Sequence, residues 1–203
     1  MYFSPGYTIA SFDWQILNRD QLHQVILKVS DQGSALLFSE KSSDAKITSL
    51  PFYKDFKLYR LTNHASLPSL SMDYLSDGIY FLYLDGTIDP MRILNEHGNL
   101  ILNRDNILDY VCFFYQYVPL PDFGEFYLIA DANNIEFARF VDPEILEAIR
   151  NQTGRIEIKQ GSLNDFTIKN IPAYCEGGFV SVALSIDAMG SVSVLRMSPL
   201  IVA

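Results

Sequence analysis

Asp85, Asp89 and His97 form the one local group in this chain whose side chains could do chemistry together. Two carboxylates can hold a hard divalent cation, and an imidazole beside them can give or take a proton, so the trio suits metal-assisted hydrolysis. The competing reading is a turn, because His97 stands in "NEHGN" directly before Gly98. His23 and His64 lie far from His97 and from each other, without the HxH or HxxxH spacing that histidine metal sites favour. No metal and no cofactor is therefore expected. Nucleophiles show no better arrangement. There is no GxSxG elbow, and Gly33-Ser34, Gly161-Ser162 and Gly190-Ser191 are turn signals. Cys112 and Cys175 have apolar neighbours with no base to activate them, so both read as structural thiols of a reducing compartment. Gly177 and Gly178 precede a strand, where a phosphate-cradling loop would have to open a helix, so a hairpin or bulge is expected there. The acidic residues Asp122, Glu125, Asp131 and Glu136 flank one strand and read as its solvated edge.

The stretch "YFLYLDGTID", residues 80–89, resembles the first motif of the haloacid dehalogenase-type phosphotransferases, a strand ending in Asp-x-Asp-Gly-Thr. In that family the first Asp accepts the phosphoryl group and the second is the acid/base. Asp85, Gly86 and Thr87 match the motif, but Tyr83 stands at the nucleophile's position. A phenol with a pKa of about 10 does not replace a carboxylate that must also bind Mg²⁺. Without that carboxylate the stretch reads as an apolar strand closed by an Asp-Gly hairpin turn.

Positioning such residues falls to a chain of 203 residues that is 49% hydrophobic and carries a net charge of -9. That length and composition support one core and one domain, the Ser-rich stretch 64–77 being the best candidate boundary if there are two. The acidic balance works against binding a phosphate backbone, so no nucleic-acid partner is expected. The densest basic group, Lys54, Lys57 and Arg60, has the spacing of a solvated strand face. No membrane span is expected either. The longest aromatic run, within "NILDYVCFFYQYV" (106–118), belongs to an uncharged stretch of only a dozen residues, Tyr110 to Pro121, that Pro119 and Pro121 stop, and a span needs about 20. The opening "MYFSPGYTIASF" has neither a basic start nor an unbroken apolar run, so a cytoplasmic protein is expected.

Periodicity supplies the elements. Asp20 can cap a helix reaching about Asp31, with Leu22, Val25, Ile26 and Val29 inward and Gln21, Gln24 and Lys28 outward. Residues 34–40, 56–61, 78–86 and 124–131 read as strands, 91–103 as two short strands about a turn, and 64–77 as a loop. Residues 104–118 read as a central helix, apolar over most of its circumference, with Asp105, Asp109 and Gln116 as its polar stripe. Pro143, behind Asp142, opens a shorter helix carrying Ile145, Leu146 and Ile149, and "ANNIEFARF" (132–140) fits no single period. Four strand-like runs after Gly154 make an antiparallel meander. The expected class is α+β: one domain with a mixed or mainly antiparallel sheet, about three helices and a C-terminal antiparallel meander.

These residues favour a non-enzymatic cytosolic binding or protein-interaction module with an acidic surface, meeting a protein partner or a second copy of itself. The alternative is a metal-assisted hydrolase built around Asp85, Asp89 and His97. Trp14 and Tyr7, aromatic residues of the kind interfaces enrich, are the candidate contact residues, together with Tyr2 and Phe3. The uncharged tail "SPLIVA" must also dock, on its own core or on another chain.

Overall fold

The computed structural model describes residues 12–29, 37–120, 126–129 and 143–200. These fall into two compact units. One is Phe12–Asp85 with Asp89–Asn99; the other holds, among the described residues, Gly86–Ile88 and the chain from Leu100 onward. Helices and antiparallel sheet occur in both, so the class is α+β, with four helices among the described residues.

The first unit opens with β1 (Gln15–Ile16) and α1 (Arg19–Val29). Three full strands follow, β2 (Ser43–Ser49), β3 (Lys57–Asn63) and β4 (Leu70–Ser76), and a short β5 (Phe81–Tyr83). The five strands lie side by side in chain order, all antiparallel. The cap of α1 is Asn18, not Asp20. Its Oδ1 accepts the Gln21 N–H and the Gln21 Oε1 accepts the Asn18 N–H, each at 3.0 Å, a reciprocal box that leaves Asp20 inside the first turn. Leu22, Val25 and Val29 recur at helical spacing and bury against Ala45, Leu61, Tyr74 and Phe81 of the sheet. Each such aliphatic side chain contributes about 1.5–3 kcal/mol by leaving water.

The register places Lys46, Arg60 and Asp73 in one row across β2, β3 and β4. Successive strand residues alternate faces, so Lys57 and Arg60 point to opposite sides; the expected single basic face does not form. Arg60 forks onto Asp73, Nε to Oδ1 and Nη2 to Oδ2, both at 2.6 Å.

Three further expectations are corrected here. Half of the Ser-rich stretch is strand, since β4 begins at Leu70, and its alternation of Leu70, Met72 and Tyr74 with Ser71 and Asp73 is the period-two signal that serine obscured. Residues 91–96 are not a strand but part of the helix α2 (Asp89–Glu96), which Pro90 opens and which buries Met91 and Leu94 three apart. Residues 37–40 are not strand, and 34–36 lie outside the described residues.

The second unit contains α3 (Ile107–Tyr117), β6 (Phe126–Leu128), α4 (Pro143–Thr153) and β7 (Glu157–Gln160). Its long strands are β8 (Phe166–Cys175), β9 (Gly178–Ile186) and β10 (Val192–Pro199). The last three form the expected antiparallel meander, while β7 and β6 pair end to end along the other edge of β8. Glu176 and Gly177, at φ +46° and +85°, turn β8 into β9; both centre positions of this two-residue hairpin need a left-handed backbone, which glycine supplies freely. The central helix is as the aromatic run implied. Ile107, Tyr110, Val111, Cys112, Phe113, Phe114 and Tyr115 of α3 are buried, and the Tyr110 hydroxyl donates to the Gly190 carbonyl at 2.7 Å. The Leu200 N–H donates to the Phe179 carbonyl at 2.8 Å, so the described part of the apolar tail docks on its own sheet. Among the described residues no helix is long and apolar enough to cross a membrane. Tyr7, Tyr2, Phe3, Asp142, the stretch 132–140 and the acidic residues Asp122, Glu125, Asp131 and Glu136 lie outside the described residues.

Candidate functional site

A concavity lies in the first unit, between α1 and the sheet face beneath it. It holds about 540 Å³, inside the roughly 300–1,000 Å³ range of small-ligand and short-segment sites. One wall is the flank of α1: Asp20, Gln21, Gln24 and Lys28, with Val25 below them. The facing wall is Ile47 of β2 with Lys57 and Tyr59 of β3, and Gln15 and Ile16 of β1 form the rim. Ile16 is 82% exposed, an aliphatic side chain at the mouth with little cover.

One end closes on Gly78 and Phe81, and the turn between β4 and β5 shapes it. Gly78 has φ +91°, and its N–H donates to the Ser76 hydroxyl at 2.9 Å. Asp77 Oδ1 accepts the N–H groups of Ile79 and Tyr80 at 2.8 and 2.9 Å. This carboxylate has a second effect. Burial first, and the negative charge of Asp77 second, push the Tyr59 phenol above its ordinary value, so the hydroxyl stays protonated and able to donate. The Tyr59 ring meets Phe81 edge-to-face at 5.1 Å, which fixes where that hydroxyl points.

The charge of the lining runs against that of the chain. Two lysines, Lys28 and Lys57, oppose one carboxylate, Asp20, in a protein of net charge -9. Carboxamides dominate the remaining polar surface, and the floor is apolar. Such a lining can hold a ligand with amide groups and an apolar side chain.

Asp85, Asp89 and His97 are arranged differently. Asp85 follows β5, and the chain runs on into α2 rather than turning back as an Asp-Gly hairpin. Asp89 is the first residue of α2 and pairs with Arg92, Oδ1 to Nη2 at 2.8 Å. His97 comes directly after α2, where its Nδ1 meets the Ile93 carbonyl at 2.7 Å as donor, and Gly98 at φ +72° ends the helix. Eight residues of helix, about 12 Å, separate Asp89 from His97. Among the described residues no group of three or more His, Cys, Asp or Glu could hold a metal ion. The turn reading of His97 and Gly98 is the one the backbone adopts.

Trp14 is half-buried and engaged by its own chain. Lys46 Nζ lies 4.7 Å and Arg60 Cζ 5.4 Å from its ring centre, and Phe12 meets it edge-on at 6.1 Å. His23 pairs with Glu40 at 2.6 Å and His64 with Asp44 at 2.7 Å, both at the surface. Neither cysteine is in a disulfide. Burial, and then the charge of Asp109, push the Cys112 thiol up to about 12; Cys175 is also raised, by burial and then by Glu176. Both shifts suppress the thiolate, as the apolar neighbours implied.

Sequence reasoning missed the groove. Gln21, Gln24 and Lys28 read as a solvated helix face, and only the register of β2 and β3 brings Ile47, Tyr59 and Lys57 opposite them. The one local signal was three glutamines, Gln15, Gln21 and Gln24, within a short span. No protein family, no curated protein and no solved structure matches this chain.

Proposed function

We propose that this protein is a non-enzymatic binding module and that the groove along α1 is where it holds its ligand or partner. The observation that carries this reading is the lining: a site-sized concavity whose walls offer carboxamides, a protonated phenol and an apolar floor. These groups recognise and orient; none is a nucleophile beside a base. The hydrolase alternative has weaker support, because Asp89 and His97 stand at opposite ends of α2. The acidic-surface expectation takes a narrower form, since the groove itself carries more positive than negative side chains.

The test is amide NMR on the full chain, titrated with a panel of small amides, short peptides and divalent cations. Shifts gathering on Gln21, Gln24, Lys57 and Tyr59 with an organic probe are the expected result. Shifts centred on Asp85, Asp89 and His97 with a divalent cation would instead restore metal-assisted hydrolysis.

A further inference from the structure

We infer that the groove takes an extended polypeptide segment with a cationic group at one end and a carboxylate four residues away. The inference rests on the groove being the binding site and adds which chemistry fills it.

Asp20 lies in the first turn of α1 and Lys28 in the last, and both line the groove. Eight helical residues separate them by about 12 Å along the axis. The second cation lies away from the Asp20 end as well. The Leu17 N–H donates to the Ala45 carbonyl at 2.9 Å, which places the start of α1 beside Ala45. Lys57 pairs with Ser49, four strand residues further on, or about 13 Å away. Among its lining side chains the groove is therefore negative where α1 begins and carries two lysines away from that end, where Asp77 beside Gly78 offsets part of the positive charge. A ligand bearing negative charge alone would meet Asp20, and one bearing positive charge alone would meet Lys28 and Lys57.

The groups between these ends suit a peptide backbone. Gln21 and Gln24 on one wall and Gln15 on the rim each offer a carbonyl and an amide N–H₂, which pair with backbone N–H and C=O alike. Tyr59 adds a neutral donor. An extended strand rises about 3.3 Å per residue, so side chains four residues apart span about 13 Å and reach both charged ends. The alternate side chains of such a segment point one way, and Val25, Ile47 and Phe81 form an apolar floor for them.

The experiment is isothermal titration of the full chain with three capped pentapeptides of sequence Lys-Val-Thr-Val-Glu, Glu-Val-Thr-Val-Lys and Gln-Val-Thr-Val-Gln, with amide NMR to locate each. One charged peptide is expected to bind at the groove about tenfold tighter than the neutral one, and to lose that advantage at high salt. The paired substitution Lys28→Glu with Lys57→Glu, which reverses the whole positive end, should abolish the advantage of the charged peptide over the neutral one. Both positions are exposed, and circular dichroism checks that the fold survives. Equal affinity for all three peptides, with shifts in the groove, would overturn the polarity inference and leave the binding reading standing. If no peptide shifts the groove while another probe does, the peptide inference falls alone; if no probe of any class reaches it, both fall.

Discussion

Asp109 pays the clearest electrostatic penalty on α3. Burial pushes its carboxyl above the ordinary value of 3.8, because the ionised form loses water without gaining a countercharge that offsets the loss. A raised value means that the folded state holds the proton more tightly than the unfolded chain. The resulting stabilisation is complete below 3.8 and is lost as pH rises through the folded value, so at neutral pH the ionised side chain is a cost. Asp109→Asn should raise the melting temperature at pH 7, and the gain should shrink as pH falls through the raised folded value and fade out below 3.8, where the carboxyl is neutral in both states. Melts of both proteins from acid to neutral pH check this; identical curves would show that burial costs Asp109 nothing. The same change removes the charge that helps hold the Cys112 thiol near 12.

For the elements, what was legible depended on how much of an element's own pattern its packing used. Helix α3 was legible because seven of its eleven residues are buried, and no strand alternation accommodates consecutive apolar residues from Val111 to Tyr115. The β8–β10 meander was legible because its strand runs alternate apart from one irregularity in each pairing and each turn carries glycine. Helix α2 was not. Over eight residues Met91 and Ile93 imitate a strand, and the Asp89-Pro90 opening was outweighed. Substitution separates the two readings: Met91→Ala should cost about 2–5 kcal/mol, while Ile93→Ala, at a side chain 42% exposed, should cost well under that. Denaturant melts that ranked these in the opposite order would contradict the helix. The cap of α1 gives a second prediction at this scale. Asn18→Ala removes one half of the reciprocal box and should cost about 1 kcal/mol, whereas Asp20→Ala should cost less, and urea melts of both variants decide which residue caps.

For the whole molecule, the groove shows why a site can be illegible when most of the elements are not. Its residues come from β1, α1, β2, β3, the turn before β5 and the start of β5, and none carries a local motif. Pairing register, a property of the assembled sheet, makes the site. That sheet and α1 share one core, and a polypeptide of residues 12–99 should therefore melt cooperatively by circular dichroism and keep its near-ultraviolet signal. A gradual, featureless melt would show that the unit does not fold alone. The chain-order pairing of β1 through β5 has a consequence for biosynthesis. Every strand of that sheet pairs with the one made just before it, so its contacts are local and quickly formed. Residues up to Asn99 leave the ribosome before Phe126, where the first strand of the other sheet begins. Synthesis itself would present the groove, complete and able to take a ligand, while the later sheet is still being translated.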